Sequence, residues 1–240
     1  MRQIAISDIH GCIASLRALV EHQLQLRQDD KLYLLGDYID RGPNSRGVLD
    51  YIMQLQQSGY DVTCLRGNHE QMMLDAVANP REVGQWIYNG GYEALTSFGT
   101  DDVTQIPEKY INFLHQLPFY AETDTYILVH AGLNFTGTQK DVQKDDFLWR
   151  MHNPLRDTES MLWIRYWYDE IDWNWLKKRI IVHGHTPIEQ DEILDMFEVL
   201  EEDQVIDIDN GCFAKLTPGL GKLCAFDMSR RMLFFQENID

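Results

Sequence analysis

The stretch Gly36-Asp37-Tyr38-Ile39-Asp40-Arg41-Gly42 follows an apolar run at residues 32–35 and decides how the whole chain is interpreted. Four more short apolar runs, at residues 4–6, 62–65, 126–129 and 180–182, also end in a polar cluster. Runs of this length that stop at glycine or polar turns are typical of buried strands. Ligands of layered α/β sheets bind beyond the carboxyl ends of the strands, so we expect the five polar clusters to meet in one site.

The five clusters share glycine and side chains that bind metal ions. In chain order they are Asp8-Ile9-His10-Gly11, the stretch from Gly36 to Gly42, Arg66-Gly67-Asn68-His69-Glu70, His130-Ala131-Gly132 and His183-Gly184-His185-Thr186-Pro187, and they contain five of the eight histidines. Carboxylate, imidazole and amide oxygen suit manganese, iron or zinc, whereas a structural zinc site would use thiolates. The donor set exceeds what one ion needs, which predicts two metal ions that share one carboxylate.

The segments between the predicted strands carry helical patterns. Ile13, Leu16, Val20 and Leu24 lie on one face of a first helix, and Val48, Ile52 and Leu55 on one face of a second. Alternating strands and helices predict an α/β fold. Residues 205–211, 223–227 and 232–235 predict further strands. We expect a single domain over residues 1–240, with a helical insertion at about 79–120.

Residues 138–178 hold five of the six tryptophans, among charged neighbours. We interpret this segment as an aromatic-rich rim over the edge of the sheet. The alternative is an ordinary amphipathic helix whose tryptophans pack on the core. The acidic run at residues 198–203 predicts a solvated loop.

Composition limits the classes of partner. Lys and Arg number 21 and Asp and Glu number 38, so the formal charge is −17. A general binder of nucleic acid or of an anionic membrane needs a positive face, so we expect neither partner. No apolar run reaches the roughly 20 residues that cross a bilayer, and residues 1–10 do not resemble a signal peptide. The scattered cysteines predict reduced thiols and a cytoplasmic protein.

The combination of Asp8-x-His10, Gly36-Asp37-x-x-Asp40-Arg41-Gly42, Gly67-Asn68-His69-Glu70, His130-Ala131-Gly132 and Gly184-His185-Thr186-Pro187 resembles the calcineurin-like metallophosphoesterases. Within that superfamily it is most similar to the phosphoprotein (serine/threonine) phosphatase branch, especially its compact bacterial and bacteriophage members. The resemblance covers residues 4–187 and continues weakly to residues 209–211. Symmetrical diadenosine tetraphosphate hydrolases are similar in the same motifs. The resemblance implies a two-sheet β-sandwich flanked by helices, with a dimetal site at the carboxyl ends of the strands.

The resemblance also implies a ligand set for the two metal ions. Asp8 and His10 would bind the first ion, Asp37 would bridge both, and the second ion would be completed by Asn68, His130 and His185. Many members of the wider superfamily have a further histidine where this chain has Pro187, so the first ion would have only three protein ligands. We expect manganese, with iron, zinc or magnesium as alternatives. His183 is interpreted as a structural neighbour of the site, with direct ligation left open.

The remaining polar residues receive roles from the chemistry of phosphate esters. A leaving alkoxide needs a proton, and His69 is the candidate general acid. Asp40 would hold that imidazole in its protonated form, unless it forms a plain salt bridge with Arg41. Arg41 and Arg66 are expected to bind phosphate oxygens through their planar, permanently charged guanidinium groups.

Two further residues near the site have expected roles. Arg165 resembles the third arginine of the phosphatase branch and would also bind phosphate. The alternatives are that Arg165 is a surface residue of a helix, or that Arg150 binds the phosphate instead. Glu70 is expected to be a structural hydrogen-bond partner rather than a catalyst.

These features predict a dimetal phosphoesterase that hydrolyses phosphate monoesters by direct attack of a metal-bridging hydroxide. The favoured substrate is phosphoserine or phosphothreonine in a protein. A nucleotide polyphosphate such as diadenosine tetraphosphate is the alternative, since aromatic side chains at residues 138–178 could stack on adenine or line a peptide groove. An inactive metal-binding regulatory protein is a third possibility, against which the presence of His69, Asp40 and Arg41 argues.

Overall fold

The computed structural model describes residues 1–136 and 153–240, which form two β-sheets with helices on their outer faces. The described strands are β1 (Gln3–Ile6), β2 (Lys31–Leu34), β3 (Asp61–Cys64), β4 (Tyr120–Glu122), β5 (Tyr126–Val129), β6 (Ile180–His183), β7 (Val205–Asp207), β8 (Lys222–Asp227) and β9 (Met232–Glu237). The first sheet has the order β3-β2-β1-β8-β9, and the second has the order β4-β5-β6-β7.

The strands that precede the polar clusters are parallel within each sheet. β1 pairs with β2 in the register Ala5 to Tyr33, and β2 pairs with β3. In the second sheet β5, β6 and β7 are parallel, and the antiparallel strands β4, β8 and β9 lie outside these two sets of three. The carboxyl ends of each parallel set therefore open at one edge of its sheet.

Burial on both faces explains why the strand sequences are short and almost wholly apolar. Ala5 and Leu128 belong to a core between the two sheets. Ile4 and Ile6 point the other way, into a core shared with the first helices. Ile127 packs on the outer side of the second sheet, against helices that follow residue 153. Alternate residues of one strand thus enter different cores, as the period of two requires.

The described helices cover these outer faces. They are α1 (Ile13–Arg17, continued as a π-helix over Ala18–Gln23), α2 (Ser45–Gln57), α3 (Asn68–Ala78), α4 (Val83–Trp86, continued as a π-helix over Ile87–Gly91), α5 (Tyr92–Phe98), α6 (Glu108–His115), α7 (Thr158–Trp163), α8 (Trp173–Leu176), α9 (Gln190–Glu198) and α10 (Leu200–Asp203). Short 3₁₀ turns lie at Val103–Gln105, Pro154–Arg156 and Tyr168–Glu170. Among the described ranges, no helix is both long and apolar enough to cross a lipid bilayer.

The structure differs from the sequence-based expectations in two places. β4 has no apolar run to mark it and exists as an antiparallel edge strand paired with β5. The acidic run at residues 198–203 is exposed as expected, but it is helical, because it ends α9 and forms α10. Residues 138–152 of the aromatic-rich segment, with Trp149, lie outside the described residues. In the described part of that segment, Trp167 is buried in the outer core of the second sheet and Trp163 and Trp173 are about half exposed, so core and surface positions both occur.

One buried ion pair ties the beginning of β1 to the turn before β2. The Nε and Nη2 atoms of Arg2 and its backbone N–H donate to the carboxylate of Asp30, which also accepts the N–H of Arg27. Burial alone would raise the pKa of Asp30, but its hydrogen bonds to Arg2 and Arg27 outweigh that effect and lower the pKa far below its usual value. The pair therefore stabilises the folded protein as long as the carboxylate of Asp30 is ionised.

Asp30→Asn should lower the free energy of unfolding by about 3 kcal/mol, because it leaves a buried arginine without its charge partner. The folded pKa lies below the unfolded one, so this contribution is complete above about pH 4 and is lost as the pH falls further. Urea denaturation from pH 3 to pH 7 measures both effects. Asp29→Asn is the matched control, since Asp29 is exposed and its loss should change stability by less than about 0.5 kcal/mol. Equal effects of the two substitutions would contradict the assignment.

Candidate dimetal centre

Asp37, just after β2, lies at the centre of a buried group of histidines. Its Oδ1 is 3.5 Å from His130 Nε2, and its Oδ2 is 3.4 Å from His10 Nε2 and 3.9 Å from His69 Nε2. Two sets of side chains, His10–Asp37–His69 and Asp37–His130–His185, each have candidate ligand atoms within 4.8 Å of one another. Asp37 belongs to both sets, which is the arrangement that a carboxylate shared by two ions requires.

The second set includes an amide oxygen that faces two imidazoles. Asn68 Oδ1 lies 2.9 Å from His130 Nε2 and 3.0 Å from His185 Nδ1. His130 Nδ1 lies 3.0 Å from the carbonyl oxygen of Leu35 and therefore carries the proton of the neutral ring. Its Nε2 then presents a lone pair to the oxygens of Asn68 and Asp37. Lone pairs that face one another in a buried site repel, and a cation between them removes the conflict, so these residues fit a metal ion.

In the first set, a backbone carbonyl also determines which ring nitrogen of the histidine carries the proton. His10 Nδ1 lies 2.8 Å from the carbonyl oxygen of Ile39, so it donates its proton there and leaves the Nε2 lone pair facing Asp37. Burial and the neighbouring charge of His69 lower the pKa of His10, which favours the neutral form that binds metals. Backbone carbonyls thus orient His10 and His130 for ligation in the way that outer-sphere hydrogen bonds commonly do.

Asp8, after β1, adds a further buried carboxylate beside His185 and near Asp37, and it belongs to neither of the two sets above. It accepts the backbone N–H of His185 at 3.2 and 3.3 Å. Burial, followed by the charges of Asp209 and Asp37, raises the pKa of Asp8 well above its usual value. Asp207 and Asp209 are buried too, and burial also raises their pKa values. A divalent cation bound nearby would favour the ionised form of these carboxylates. The alternation of apolar residues at 205–208 with these two aspartates was the available sequence signal for the extra carboxylates.

His69, at the start of α3, is joined to Asp40 by a hydrogen bond from Nδ1 to Oδ2 of 2.6 Å. Burial alone would lower the pKa of His69, but the charges of Asp37 and Asp40 raise it above its usual value. Burial raises the pKa of Asp40 to about 6, against the opposing hydrogen bonds from His69 and Trp86. Nδ1 is therefore held by Asp40, while Nε2 faces Asp37 and the metal-binding groups.

Arg41 lies beside the proposed first ion. Its Nη1 is 3.1 Å from His10 Nε2, its guanidinium lies over the ring of Phe213 at 4.6 Å, and its backbone N–H donates to the carbonyl oxygen of Gly90. Within residues 1–136 and 153–240, the ion pair of Asp40 is with His69 and not with Arg41. The geometry thus favours the proton-donor pair over the alternative salt bridge.

Arg165, after α7, approaches the other side of the centre. Its Nη1 donates to the hydroxyl of Thr186, which follows His185 in the chain. Its positive charge is close enough to lower the pKa of His130 and His185, although burial is the larger cause for both. The rival arginine, Arg150, lies outside the described residues.

Arg66, the other arginine expected to bind phosphate, is engaged elsewhere. Its Nη1 donates to Gln71, and its Nη2 donates to the carbonyl oxygens of Leu114 and His115 at the end of α6. Its guanidinium also lies over the ring of Phe119. These contacts favour a role in capping α6 over the predicted phosphate contact. The sequence did not reveal this, because the carbonyl partners lie about fifty residues away.

Glu70 supports the backbone of the loop that carries Asp37. Its two oxygens accept the backbone N–H groups of Asp37, Tyr38 and Gly67, each at 2.8 or 2.9 Å. The loop that carries Asp37 is therefore fixed by a side chain from α3, which agrees with the structural role expected for Glu70.

His183 has both ring nitrogens occupied by the protein. Its Nδ1 donates to the carbonyl oxygen of Gly184, and its Nε2 accepts the hydroxyl of Tyr168. Burial lowers its pKa to about 4. His183 is thus a buried neutral residue beside the site, and this geometry favours the structural interpretation over direct ligation.

The loops of the site are held in a strained backbone conformation. Five predicted site residues have positive φ angles although they are not glycine: His10, Asp37, Asp40, Arg41 and His185. Such angles cost roughly 1–2 kcal/mol per residue and persist only where the surroundings impose them. Gly36 has φ of 112°, and a Cβ there would lie 2.7 Å from Gly67 and 2.9 Å from the ring of His130. The loops meet too closely for any larger residue at this position.

The family model of the calcineurin-like phosphoesterases matches residues 1–208 of this chain. Serine/threonine-protein phosphatase 1 of Salmonella typhimurium is 30% identical over 187 residues, which cover 76% of this chain and 77% of that protein. The symmetrical bis(5'-nucleosyl)-tetraphosphatase of Pseudomonas syringae pv. syringae is 37% identical over 146 residues, which cover 60% of this chain and 46% of that protein. The chain thus spans less than half of the second relative.

Solved structures support the same architecture. A protein serine/threonine phosphatase of Saccharomyces cerevisiae matches with a TM-score of 0.63 at 15% identity. The match covers 100% of this chain and 81% of the yeast chain. A cold-active protein-tyrosine phosphatase of a Shewanella species matches with a TM-score of 0.61 at 17% identity, and the match covers 98% of this chain and 80% of the Shewanella chain. At these identities the likeness shows the fold alone, and it confirms the expected two-sheet arrangement. The family match over residues 1–208 and the similarity to the Salmonella phosphatase establish that this protein belongs to the calcineurin-like phosphoesterases and is a metal-dependent phosphatase.

Proposed function

We propose that this protein removes phosphate from phosphoserine and phosphothreonine residues of proteins. The observation that carries the proposal is the His69–Asp40 pair, whose outer nitrogen Nε2 lies 3.9 Å from the Asp37 carboxylate. The alkoxide of serine or threonine is a poor leaving group, so its departure needs a proton donor close to the metal-binding carboxylate, and His69 is placed to be that donor. One relative that matches this chain over about three quarters of both lengths is a serine/threonine-protein phosphatase.

The proposed ligands divide between the two ions as the motifs suggest. Asp8, His10 and Asp37 would hold the first ion, and Asp37 would share the second with Asn68, His130 and His185. We expect manganese, because this set of carboxylate, imidazole and amide donors suits it. Two divalent ions bound here would activate water and neutralise charge on the phosphoryl oxygens.

The chain's own residues supply positioning and proton transfer. Arg41 and Arg165 approach the centre from two sides and would orient the phosphate through its oxygens. His69 would donate its Nε2 proton to the leaving oxygen, while Asp40 holds Nδ1 and keeps the ring aligned. The low exposure of Asp37, His69 and His130 excludes bulk water and strengthens each of these interactions.

A dinucleoside polyphosphate is the second candidate substrate, and one observation favours it. The ring of Trp163 is 43% exposed and lies 6.3 Å from the ring of His185. An exposed indole beside a phosphate site can stack on a nucleobase. The same indole can contact an apolar side chain of a phosphopeptide, so we retain the protein substrate as the proposal.

Removal of single ligands tests the metal assignment. His185→Ala should reduce bound manganese from about two equivalents to about one, and Asp37→Asn should reduce it below one, because only Asp37 serves both ions. Equilibrium dialysis followed by elemental analysis measures the stoichiometry. His22→Ala, which changes an exposed histidine outside the site, should retain about two equivalents. Two equivalents in His185→Ala would contradict the ligand set.

A direct competition of substrates tests the proposed specificity. With manganese bound, kcat/KM for a phosphoserine peptide should exceed that for diadenosine tetraphosphate by at least about tenfold, a difference of about 1.4 kcal/mol in transition-state binding. Phosphate release and ADP release are measured separately in the same preparation. Faster ADP release would favour the nucleotide substrate, and in that case Trp163→Ala should lower it by about tenfold. A metal-loaded protein that turns over neither substrate would point to the regulatory alternative.

A further inference from the structure

Trp86, the last residue of α4, is fully buried and makes a polar contact that the sequence did not suggest. Its indole N–H donates to both oxygens of Asp40, at 2.9 Å to Oδ2 and 3.1 Å to Oδ1. Tryptophan usually finds a hydrogen-bond partner when buried, and a backbone carbonyl would suffice. Here the partner is the carboxylate that also binds His69.

The Asp40 carboxylate is held by donors on each side. His69 Nδ1 lies 2.6 Å from Oδ2, and the indole of Trp86 spans Oδ1 and Oδ2. The backbone N–H of Asp40 donates to the hydroxyl of Ser45, which fixes the main chain as well. Without the indole, a fully buried oxygen would lose its donor and the carboxylate could rotate away from His69.

The segment that carries Trp86 is itself anchored to the site. A Cβ on Gly91 would lie 2.5 Å from the indole ring, so the backbone at this position packs flat against it. One residue earlier, the carbonyl oxygen of Gly90 accepts the backbone N–H of Arg41. One turn of the 79–120 segment therefore contacts both Asp40 and its neighbour Arg41, the residue expected to bind phosphate.

We propose that Trp86 is a positioning residue of the phosphatase reaction, which aligns His69 for proton donation by fixing the carboxylate of Asp40. The inference rests on the proposed role of His69 as the proton donor. In that step a water-derived oxygen bonds to phosphorus, and the ester P–O bond breaks with its electron pair on the leaving oxygen. That oxygen receives the proton from His69 Nε2. A misaligned ring therefore slows the departure of poor leaving groups most.

Leaving-group dependence tests the proposal in the metal-loaded protein. Trp86→Phe should lower kcat for phenyl phosphate, whose phenolate needs a proton, by about tenfold. For p-nitrophenyl phosphate, whose leaving group departs unprotonated, the loss should stay below about threefold. Replacement of Trp86 by 3-benzothienylalanine keeps the ring shape and removes only the N–H, so it should give the same selective loss. If the Phe variant does not fold, the ratio of the two rates in the 3-benzothienylalanine variant tests the role of the indole N–H by itself.

Tyr110→Phe is the matched control. Tyr110 is also a fully buried aromatic residue, and its hydroxyl donates to the carboxylate of Asp50 at 2.8 Å, outside the metal-binding groups. Its loss should leave the ratio of the two rates unchanged within about twofold. Proton NMR of the zinc-loaded protein, in which the metal is diamagnetic, supplies a readout independent of turnover. The downfield signal of the His69 Nδ1–H, identified by its absence in His69→Asn, should shift upfield in both position-86 variants.

The outcomes separate this inference from the proposed function. If His69→Asn lowers both rates equally, the proton-donor role of His69 is wrong. If His69→Asn is selective for phenyl phosphate but the isostere at position 86 is not, then Trp86 is only a core residue and the inference alone fails. A selective loss in both variants, with an unchanged ratio in Tyr110→Phe, supports it.

Discussion

The structure depends on one buried carboxylate, that of Asp37, held within 3.9 Å of imidazole nitrogens that come from three separate strand ends. A solitary carboxylate would not remain ionised in such a place. Burial alone would raise the pKa of Asp37, but the surrounding imidazoles, His130 and His69 first among them, outweigh burial and hold that pKa below its usual value. The facing lone pairs on the neighbouring nitrogens and oxygens then leave a space that suits cations, and this requirement connects the fold to its chemistry.

The rest of the molecule places that carboxylate and its partners. Three parallel strands in one sheet and three in the other end at loops that carry from one to three of the polar residues of the site, with three after β2 and one after β5. Glu70 holds the Asp37 loop from α3, and backbone carbonyls set the tautomers of His10 and His130. The strained φ angles at site residues are maintained by these contacts, because no isolated loop would adopt them.

Much of this could be predicted from the sequence, because the information is local. Eight of the nine strands described here lie at short apolar runs, and the residues after five of them carry the side chains expected to bind metal ions. The position of Asp37 among histidines and the pairing of Asp40 with His69 could be expected from chemical reasoning about residue types, together with the family resemblance. The π-helical continuation after α1 did not hinder the prediction, since its buried face still follows helical spacing.

What escaped prediction depends on contacts between distant residues. Arg66 and Arg41 look equivalent in sequence, yet one caps α6 and the other lies against His10. Trp86 looks like a core residue of a helical insertion, and its contact with Asp40 appears only in three dimensions. The edge strand β4 is specified by pairing with β5 and not by its own composition. The role of Arg66 and that of Trp86 each depend on a partner roughly fifty residues away, and β4 depends on the neighbouring strand β5.

We propose that Asp37 joins two metal ions in one centre. Electron paramagnetic resonance of the manganese-loaded protein measures this, because two ions that share a carboxylate are magnetically coupled. We expect the spectrum of an exchange-coupled manganese pair, and we expect it to disappear in Asp37→Asn. A six-line signal of isolated manganese at full loading, unaltered by that substitution, would contradict it.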